Sequence, residues 1–458
     1  MSEHRLTTLP SGVRVISERV PNVRSVALGF WIATGSALES DGQAGMSHLL
    51  EHMLFRGTDH FGSQEIDEIF DGMGAEINAG TDRESTSLYT RVLDRHLERA
   101  FEVAGEMVWR PLLEDLETER EVVLEEIAMY EDDPQDRVFD LLGEAVFGSH
   151  PLGRATIGTA AVVGSVTAEQ LRAFHRERYP PAKVVVAAAG SVEHEALVDM
   201  AERAQAFADP QSMAAGGGNS RSGHAGELAE SRGENEPDFG EPTFERRLRF
   251  LAKDTEQYHV CLGGRGISRH DERRFALRVL EGVLGGTSSS RLFQEVRERR
   301  GLAYSVFCFA SQHRSTGEVG VYVGTRPDNL AHALEVIADE LARLVEDPAS
   351  AQELERSREN LKGRIALSLE STGSRMNRLG GSLLGELPIL SVEEIFARID
   401  AVSIEDLRAL ATELFAPEDL SVACIGREGE LFERALEPLG GGEPLPAPGA
   451  RREIGGRA

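Results

Sequence analysis

The sequence predicts an α+β fold made by tandem duplication: one unit, a mixed or antiparallel sheet covered by helices, used twice to give two domains per chain. Three observations predict it. VTAEQLRAFHRERYPPAKVVVAAAG, Val166 to Gly190, matches VSIEDLRALATELFAPEDLSVACIG, Val402 to Gly426, without a gap. Taking Leu407 against Leu171 gives an offset of 236, and the same offset pairs Glu119-Arg120 with Glu355-Arg356. Between the copies, the stretch from Pro210 to Pro242 is rich in Gly, Ser and Glu and too poor in large apolar residues to support a core. Strands and helices do not alternate regularly, which disfavours a doubly wound parallel sheet.

In the first copy, GVRVISERV, SVALGFWIATGS, AEINAG with STSLYTRVL, and KVVVAAAG have the alternating or continuous apolar character of strands. SHLLEHMLF, SQEIDEIFDGM, DRHLERAFEVAGEMVW, LETEREVVLEEIAMYE, RVFDLLGEAVF and TAEQLRAFHRERY carry helical periodicity. Domains are therefore expected at 1–209 and 243–436. A flexible linker is expected over 210–242, and a Pro- and Gly-rich tail over 437–458 is expected to fray.

A chain of 458 residues, 41% hydrophobic and 28% charged, is long enough for two or three cored domains. It contains no run of eighteen apolar residues. MSEHRLTTLPSGVRVISERV at the start has neither a secretory nor a transit pattern, so a cytoplasmic, membrane-free protein is expected. Cys261, Cys308 and Cys424 are an odd number, lack the spacing of a cysteine metal site and are expected as reduced thiols. A net charge of -28 argues against a nucleic-acid partner and is compatible with basic ones, although acidic surfaces commonly serve solubility alone.

The segment QAGMSHLLEHMLF carries the chemistry. His48 and His52 are one helical turn apart and point the same way, as two imidazoles sharing a tetrahedral ion must. Glu51 lies beside them, within reach of a metal-activated water without being a ligand. Catalytic zinc needs a third protein ligand, and LETEREVVLEEIAMYE offers Glu119 and Glu126, two turns apart on one face. Either could reach the ion, the other then orienting a histidine. An acidic helix face is commonly only a solvated face. The duplication adds independent support: at offset 236 the counterparts of His48 to His52 are Leu284 to Ser288 and that of Glu126 is Lys362, so the candidate ligands belong to one copy alone.

HLLEH, followed 74 residues later by the last glutamate of ERxxVxxE, resembles the inverted zinc motif of the pitrilysin family, which includes insulin-degrading enzyme, mitochondrial processing peptidase and shorter bacterial peptidases. The resemblance extends through GAEINAGTDRESTSLY (Gly74 to Tyr89) and GTSSSRLFQEVRERRGLAYSV (Gly286 to Val306). It implies a processing-peptidase-like fold and a zinc endopeptidase with one Zn2+ per chain. His48, His52 and Glu126 resemble its zinc ligands, Glu51 its general base and Glu119 its supporting carboxylate. Asn78 and Ala79 resemble edge-strand residues that pair with substrate backbone, and Arg297 and Tyr304 the pair brought to the substrate by the other half of the assembly. Because the chain supplies only one half of such an assembly, a homodimer completing each site in trans is implied, with a heterodimer with a related subunit as the alternative. The competing expectation is a silent or partner-dependent scaffold subunit. The linker would be a tether or a restraint on opening of the chamber.

Overall fold

The computed structural model describes residues 4–206, 240–442 and 445–446. Two six-stranded sheets organise them. The first contains β1 (His4–Thr8), β2 (Arg14–Arg19), β3 (Ser25–Ile32), β4 (Glu76–Thr81), β5 (Thr86–Leu93) and β6 (Val184–Gly190), in the order β1-β2-β6-β3-β5-β4. The second contains β7 (Leu248–Ala252), β8 (Tyr258–Gly266), β9 (Ala303–Gln312), β10 (Gly317–Thr325), β11 (Ser421–Gly426) and β12 (Leu445–Pro446), in the order β12-β7-β11-β8-β10-β9. β2 runs parallel to β6 and β7 to β11, while β3 and β8 pair antiparallel with both neighbours, so each sheet is mixed, as the α+β reading expects. Position follows composition. The continuous apolar run VVVAAAG is the fully buried β6, whereas EINAGT alternates exposed and half-buried residues at the sheet edge. The mostly exposed β1, HRLTT, has no apolar period and escaped the sequence reading.

The helices that position the site and its counterpart are α1 (Met46–Met53), α2 (Leu116–Asp132), α3 (Pro134–Phe147), α4 (Ala168–Arg178), α5 (Arg274–Leu284), α6 (Ala351–Ser368), α7 (Thr372–Leu384) and α8 (Ile404–Leu414). The chain packs as two compact units, but these are not the continuous spans 1–209 and 243–436. One comprises Met1–Ile127, Ala155–Gly240 and Ser368–Ile389; the other comprises Ala128–Arg154, Glu241–Leu367 and Leu390–Ala458. Each half lends the other a helix: α7 packs on β3 and β6 of the first sheet, and α3 on β8 and β11 of the second. The exchange has a physical cause in the residues. On the first sheet the Trp31 ring lies where a side chain on Gly29 or Gly380 would have to be, and the fully buried Glu18 of β2 is ion-paired to Arg375 and Arg378 of α7. On the second, Phe139 of α3 lies 5.2 Å from Phe309 and 5.6 Å from Tyr322, ring centre to ring centre. A drop in apolar composition marks where no core forms; it does not reveal which sheet a helix covers.

The expected linker lies outside the described residues except for 240–242. The tail is ordered at its start. Glu437–Leu439 forms a 3-10 turn, Arg246 donates to the carbonyls of Leu439 (2.8 Å) and Gly441 (3.0 Å), and β12 extends the second sheet. The captured carbonyls and the buried Leu439, part of the apolar core of the second unit, hold it. Residues 447–458 lie outside the described residues. The three cysteines are free and buried, and burial raises each thiol well above its ordinary value. Among the described residues no helix is long and apolar enough to cross a membrane.

Five strands of the two sheets correspond in order, β2-β6-β3-β5-β4 with β7-β11-β8-β10-β9, while the edge positions differ, β1 being antiparallel to β2 and β12 parallel to β7; the offset of 236 does not hold throughout. Arg120 of α2 donates to the Val166 carbonyl, and Arg358 of α6 donates to the Val402 carbonyl. Arg358, not Arg356, is therefore the partner of Arg120, and LERSRENLKGRI (354–365) lies against LETEREVVLEEI (116–127) with Arg364 opposite Glu126. In α5, buried Val279, Leu280, Val283 and Leu284 repeat the burial of Leu49, Leu50, Met53 and Leu54, placing LRVLEGVL against SHLLEHML. The counterparts of His48, Glu51, His52, Glu119 and Glu126 are thus Arg278, Glu281, Gly282, Ser357 and Arg364. They replace Leu284 to Ser288 and Lys362, because connecting loops of unequal length shift the register between elements.

Candidate metal centre

Helix α1 is set by its entry. Gly45 has φ +101°, a conformation that L side chains rarely adopt, and a Cβ there would meet the Ile157 carbonyl at 2.8 Å. The buried Glu39 carboxylate accepts from the N–H groups of Gly45 (2.8 Å) and Ser47 (2.6 Å), so the cap comes from six residues upstream instead of from a local Ser or Thr. Met46, Leu49, Leu50 and Met53 bury the inner face. His48 and His52 then share the other face, ring centres 4.7 Å apart at 63°.

Helix α2 brings the third donor. Glu126 Oε2 lies 3.2 Å from His52 Nε2 and 3.7 Å from His48 Nε2, and one donor atom from each of the three falls within 4.8 Å of the others. Donors at ~2.0–2.1 Å from a tetrahedral zinc stand about 3.3 Å apart, so the spacing and the two-imidazole, one-carboxylate chemistry fit that ion. Among the described residues this is the one such cluster. Glu119 acts on a histidine instead of an ion, with its Oε1 2.8 Å from His52 Nδ1 and its other oxygen held by Arg56. A carboxylate on Nδ1 fixes the tautomer whose Nε2 lone pair faces Glu126. Burial, and then the neighbouring His52, push His48 down to about 4, which keeps its imidazole neutral as a metal ligand must be.

Glu51 is buried, and burial raises its carboxyl above the ordinary range, against the pull of the hydrogen bonds from Thr81. Its Oε2 accepts from Thr81 Oγ1 at 2.5 Å. Thr81 ends β4, the strand that carries Asn78 and Ala79 and, among the described residues, pairs on one side only, with β5. Asn78 is exposed, and its Oδ1 accepts from the Ala79 N–H at 2.9 Å. Arg297 and Tyr304 belong to the other compact unit and are brought together there. The Arg297 guanidinium stacks between the rings of Phe293 (4.7 Å) and Tyr304 (4.4 Å) and donates to the Tyr304 carbonyl at 3.0 Å, while Tyr304 is 77% exposed.

Three contributors escaped the sequence reading: Glu39, Arg56 and Thr81. Only Thr81 left a signal. Counting by twos along β4 puts Ile77, Ala79 and Thr81 on the same half-buried face, where a hydroxyl is out of place without a partner.

The family model described as insulinase, peptidase family M16, matches residues 14–160, and the one described as the peptidase M16 inactive domain matches residues 165–361. A protein of Streptomyces coelicolor named as an uncharacterized zinc protease is 41% identical over 90% of this chain and 87% of its own length. One of Bacillus subtilis with the same description is 39% identical over 93% of this chain and 98% of its own. A probable beta subunit of the mitochondrial-processing peptidase of Arabidopsis thaliana is 29% identical over 93% and 78%. Among solved structures, a protease from Helicobacter pylori superimposes with a TM-score of 0.82 at 21% identity, covering 93% of this chain and 99% of its own; at that identity the likeness concerns the fold alone.

Proposed function

The chain belongs to the insulinase family of peptidases, family M16, and is a zinc metallopeptidase; on that premise we propose that it is an endopeptidase acting on extended, unstructured peptides or protein termini, with Glu51 as its general base. The observation that carries the reading is the convergence of His48, His52 and Glu126, with Glu119 behind His52 and Glu51 in the same turn. Zinc held by those three residues, one per chain, would polarise the scissile carbonyl and bring the pKa of water to about 7.

The side chains of this chain do the rest. Glu51 has Oε2 occupied by Thr81, which leaves Oε1 to take the proton that the attacking water gives up and to deliver it to the leaving amine nitrogen. β4 offers an unpaired edge along which a peptide adds as a further strand, with Asn78 and Ala79 in the pairing segment. A folded protein cannot present such a strand, hence the substrate class. Net charge favours basic peptides. Arg297, stacked and preformed, and the exposed Tyr304 serve the charge that develops on the carbonyl oxygen of a site in a second copy of the chain, in a homodimer. A related subunit in a heterodimer is the alternative source of that pair. The silent-scaffold expectation is not favoured, since every candidate position holds a residue fit for its role.

The test is digestion of a long, basic, unstructured peptide, read by mass spectrometry, with untreated wild type, chelator-treated wild type and Glu51→Gln in parallel. Cleavage by the untreated wild type alone is expected; full cleavage by Glu51→Gln would remove Glu51 from its role. Mixing Glu51→Gln with Arg297→Ala protein should restore activity if sites are completed in trans, and absence of rescue would count against the homodimer.

A further inference from the structure

The second unit retains the glutamate of the metal centre without the metal ligands, and that makes it an internal control. Glu281 stands where Glu51 stands, on the same turn of the corresponding helix. Glu51 receives a hydrogen bond from the backbone of Thr81, on edge strand β4. Glu281 receives one from the backbone of Ala310, on edge strand β9. The strand-to-glutamate bond is therefore a property of the scaffold, present whether or not the site holds metal ligands. The hydroxyl is not. Thr81 adds Oγ1 to Glu51 at 2.5 Å, and Ala310 has nothing to add.

We propose that Thr81 is a positioning residue for the general base: its hydroxyl clamps Glu51 Oε2, so that Oε1 alone is presented to the reacting water. Two features argue that the bond serves orientation and not folding. Glu281 is held in the equivalent place without any hydroxyl, by the Ala310 backbone and the ion pair with Arg278, so the helix and strand need no hydroxyl to pack. Thr81 also contributes its backbone to Glu51, which leaves rotation of the carboxylate as the freedom that Oγ1 removes. Thr81 lies in the same strand as Asn78 and Ala79, two residues beyond the pairing segment. A peptide that adds to the β4 edge thereby presses on the strand that holds the base, linking substrate seating to carboxylate alignment.

The inference rests on the peptidase reading, and the experiment separates the two. Thr81→Val keeps the shape and removes the donor; Thr81→Ser keeps the donor. Thr81→Val should lower kcat about 10- to 100-fold with KM changed less than about threefold, and Thr81→Ser should recover most of that loss. Zinc content and melting temperature of both variants should match wild type. A readout independent of turnover is the affinity of a peptide hydroxamate, whose N–O–H donates to the base. Thr81→Val should weaken it about tenfold in the wild-type background and not at all in Glu51→Gln, because the clamp acts only through Glu51. Unchanged kcat in Thr81→Val, an equal loss in Thr81→Ser, loss of zinc, or an additive effect in the Glu51→Gln background would each overturn the role given to Thr81 while leaving the peptidase intact. A wild type that neither cleaves peptides nor binds the hydroxamate would overturn the peptidase reading, and the clamp with it.

Discussion

Glu51 and Glu281 occupy corresponding turns on corresponding sheets, and one faces two imidazoles and a carboxylate while the other has Arg278 and Arg364 in place of His48 and Glu126. Gly282 fills the place of His52 and packs directly on Ser357, which stands where Glu119 stands. The scaffold is the same; the chemistry differs by four side chains around a retained glutamate. In both units burial raises the glutamate carboxyl, so an elevated pKa at this turn follows from the fold and is no evidence of catalysis by itself. Convergence of two imidazoles and a carboxylate distinguishes the metal centre.

The strongest way to break the comparison is to rewrite the first site as the second. His52→Gly should abolish zinc retention, measured by elemental analysis after dialysis, and lower peptide cleavage by at least about 10³-fold. Retained zinc in this variant would mean that the cluster is not the metal site. Next is the exchanged helix. Glu18 is fully buried between Arg375 and Arg378, the latter at 2.9 Å, so Glu18→Gln leaves two guanidinium groups facing an amide. A loss of about 3–5 kcal/mol in urea unfolding is expected. The second sheet holds its borrowed helix by aromatic packing of Phe139, so no charge substitution there should cost as much. A smaller change sharpens the role of Glu119: Glu119→Ser, the residue of the second unit, should keep the zinc stoichiometry but weaken its affinity about 10- to 100-fold in chelator competition.

Much of the first site was legible because its spacing is helical. A separation of four between His48 and His52 and of seven between Glu119 and Glu126 are statements about faces, and α1 and α2 present those faces. Spacing alone did not choose between the two glutamates, since a shared face does not say which side chain meets which nitrogen; the family resemblance is what named Glu126. The duplication could be read over 166–190, where strand and helix are joined by equal lengths of chain, and was lost upstream, where they are not. Periodicity gave α3 an apolar face but no address, and α7 was not read from the sequence at all, so the exchange between units stayed hidden. Glu39 was beyond reach for a related reason: a cap supplied from six residues before the N-cap Gly45 has no local pattern.

The smallest expected effect concerns the retained glutamate of the second unit. Burial pushes Glu281 up to about 7 from an ordinary 4.5, with Arg278 and Arg364 pulling the other way; Arg278 Nε lies 3.6 Å from Glu281 Oε2. Below pH 4.5 the folded and unfolded chains both carry a protonated Glu281, and it is neutral in its effect. Between 4.5 and about 7 the unfolded chain ionises while the folded one keeps its proton, so stability falls as pH rises and the full loss is reached above 7. A shift of this size sets a ceiling of about 3 kcal/mol, and the cost of burying an amide in its place takes roughly half of that. Glu281→Gln, whose amide oxygen can still accept the Ala310 N–H, should therefore gain about 1–2 kcal/mol over wild type at about pH 8 and lose about as much at about pH 4.5, where only the cost of the buried amide remains, measured by urea unfolding at both. An equal difference at the two pH values would mean that Arg278 and Arg364 already hold Glu281 ionised. The second unit would then keep its glutamate as the partner of two arginines, where the first keeps its own as a base.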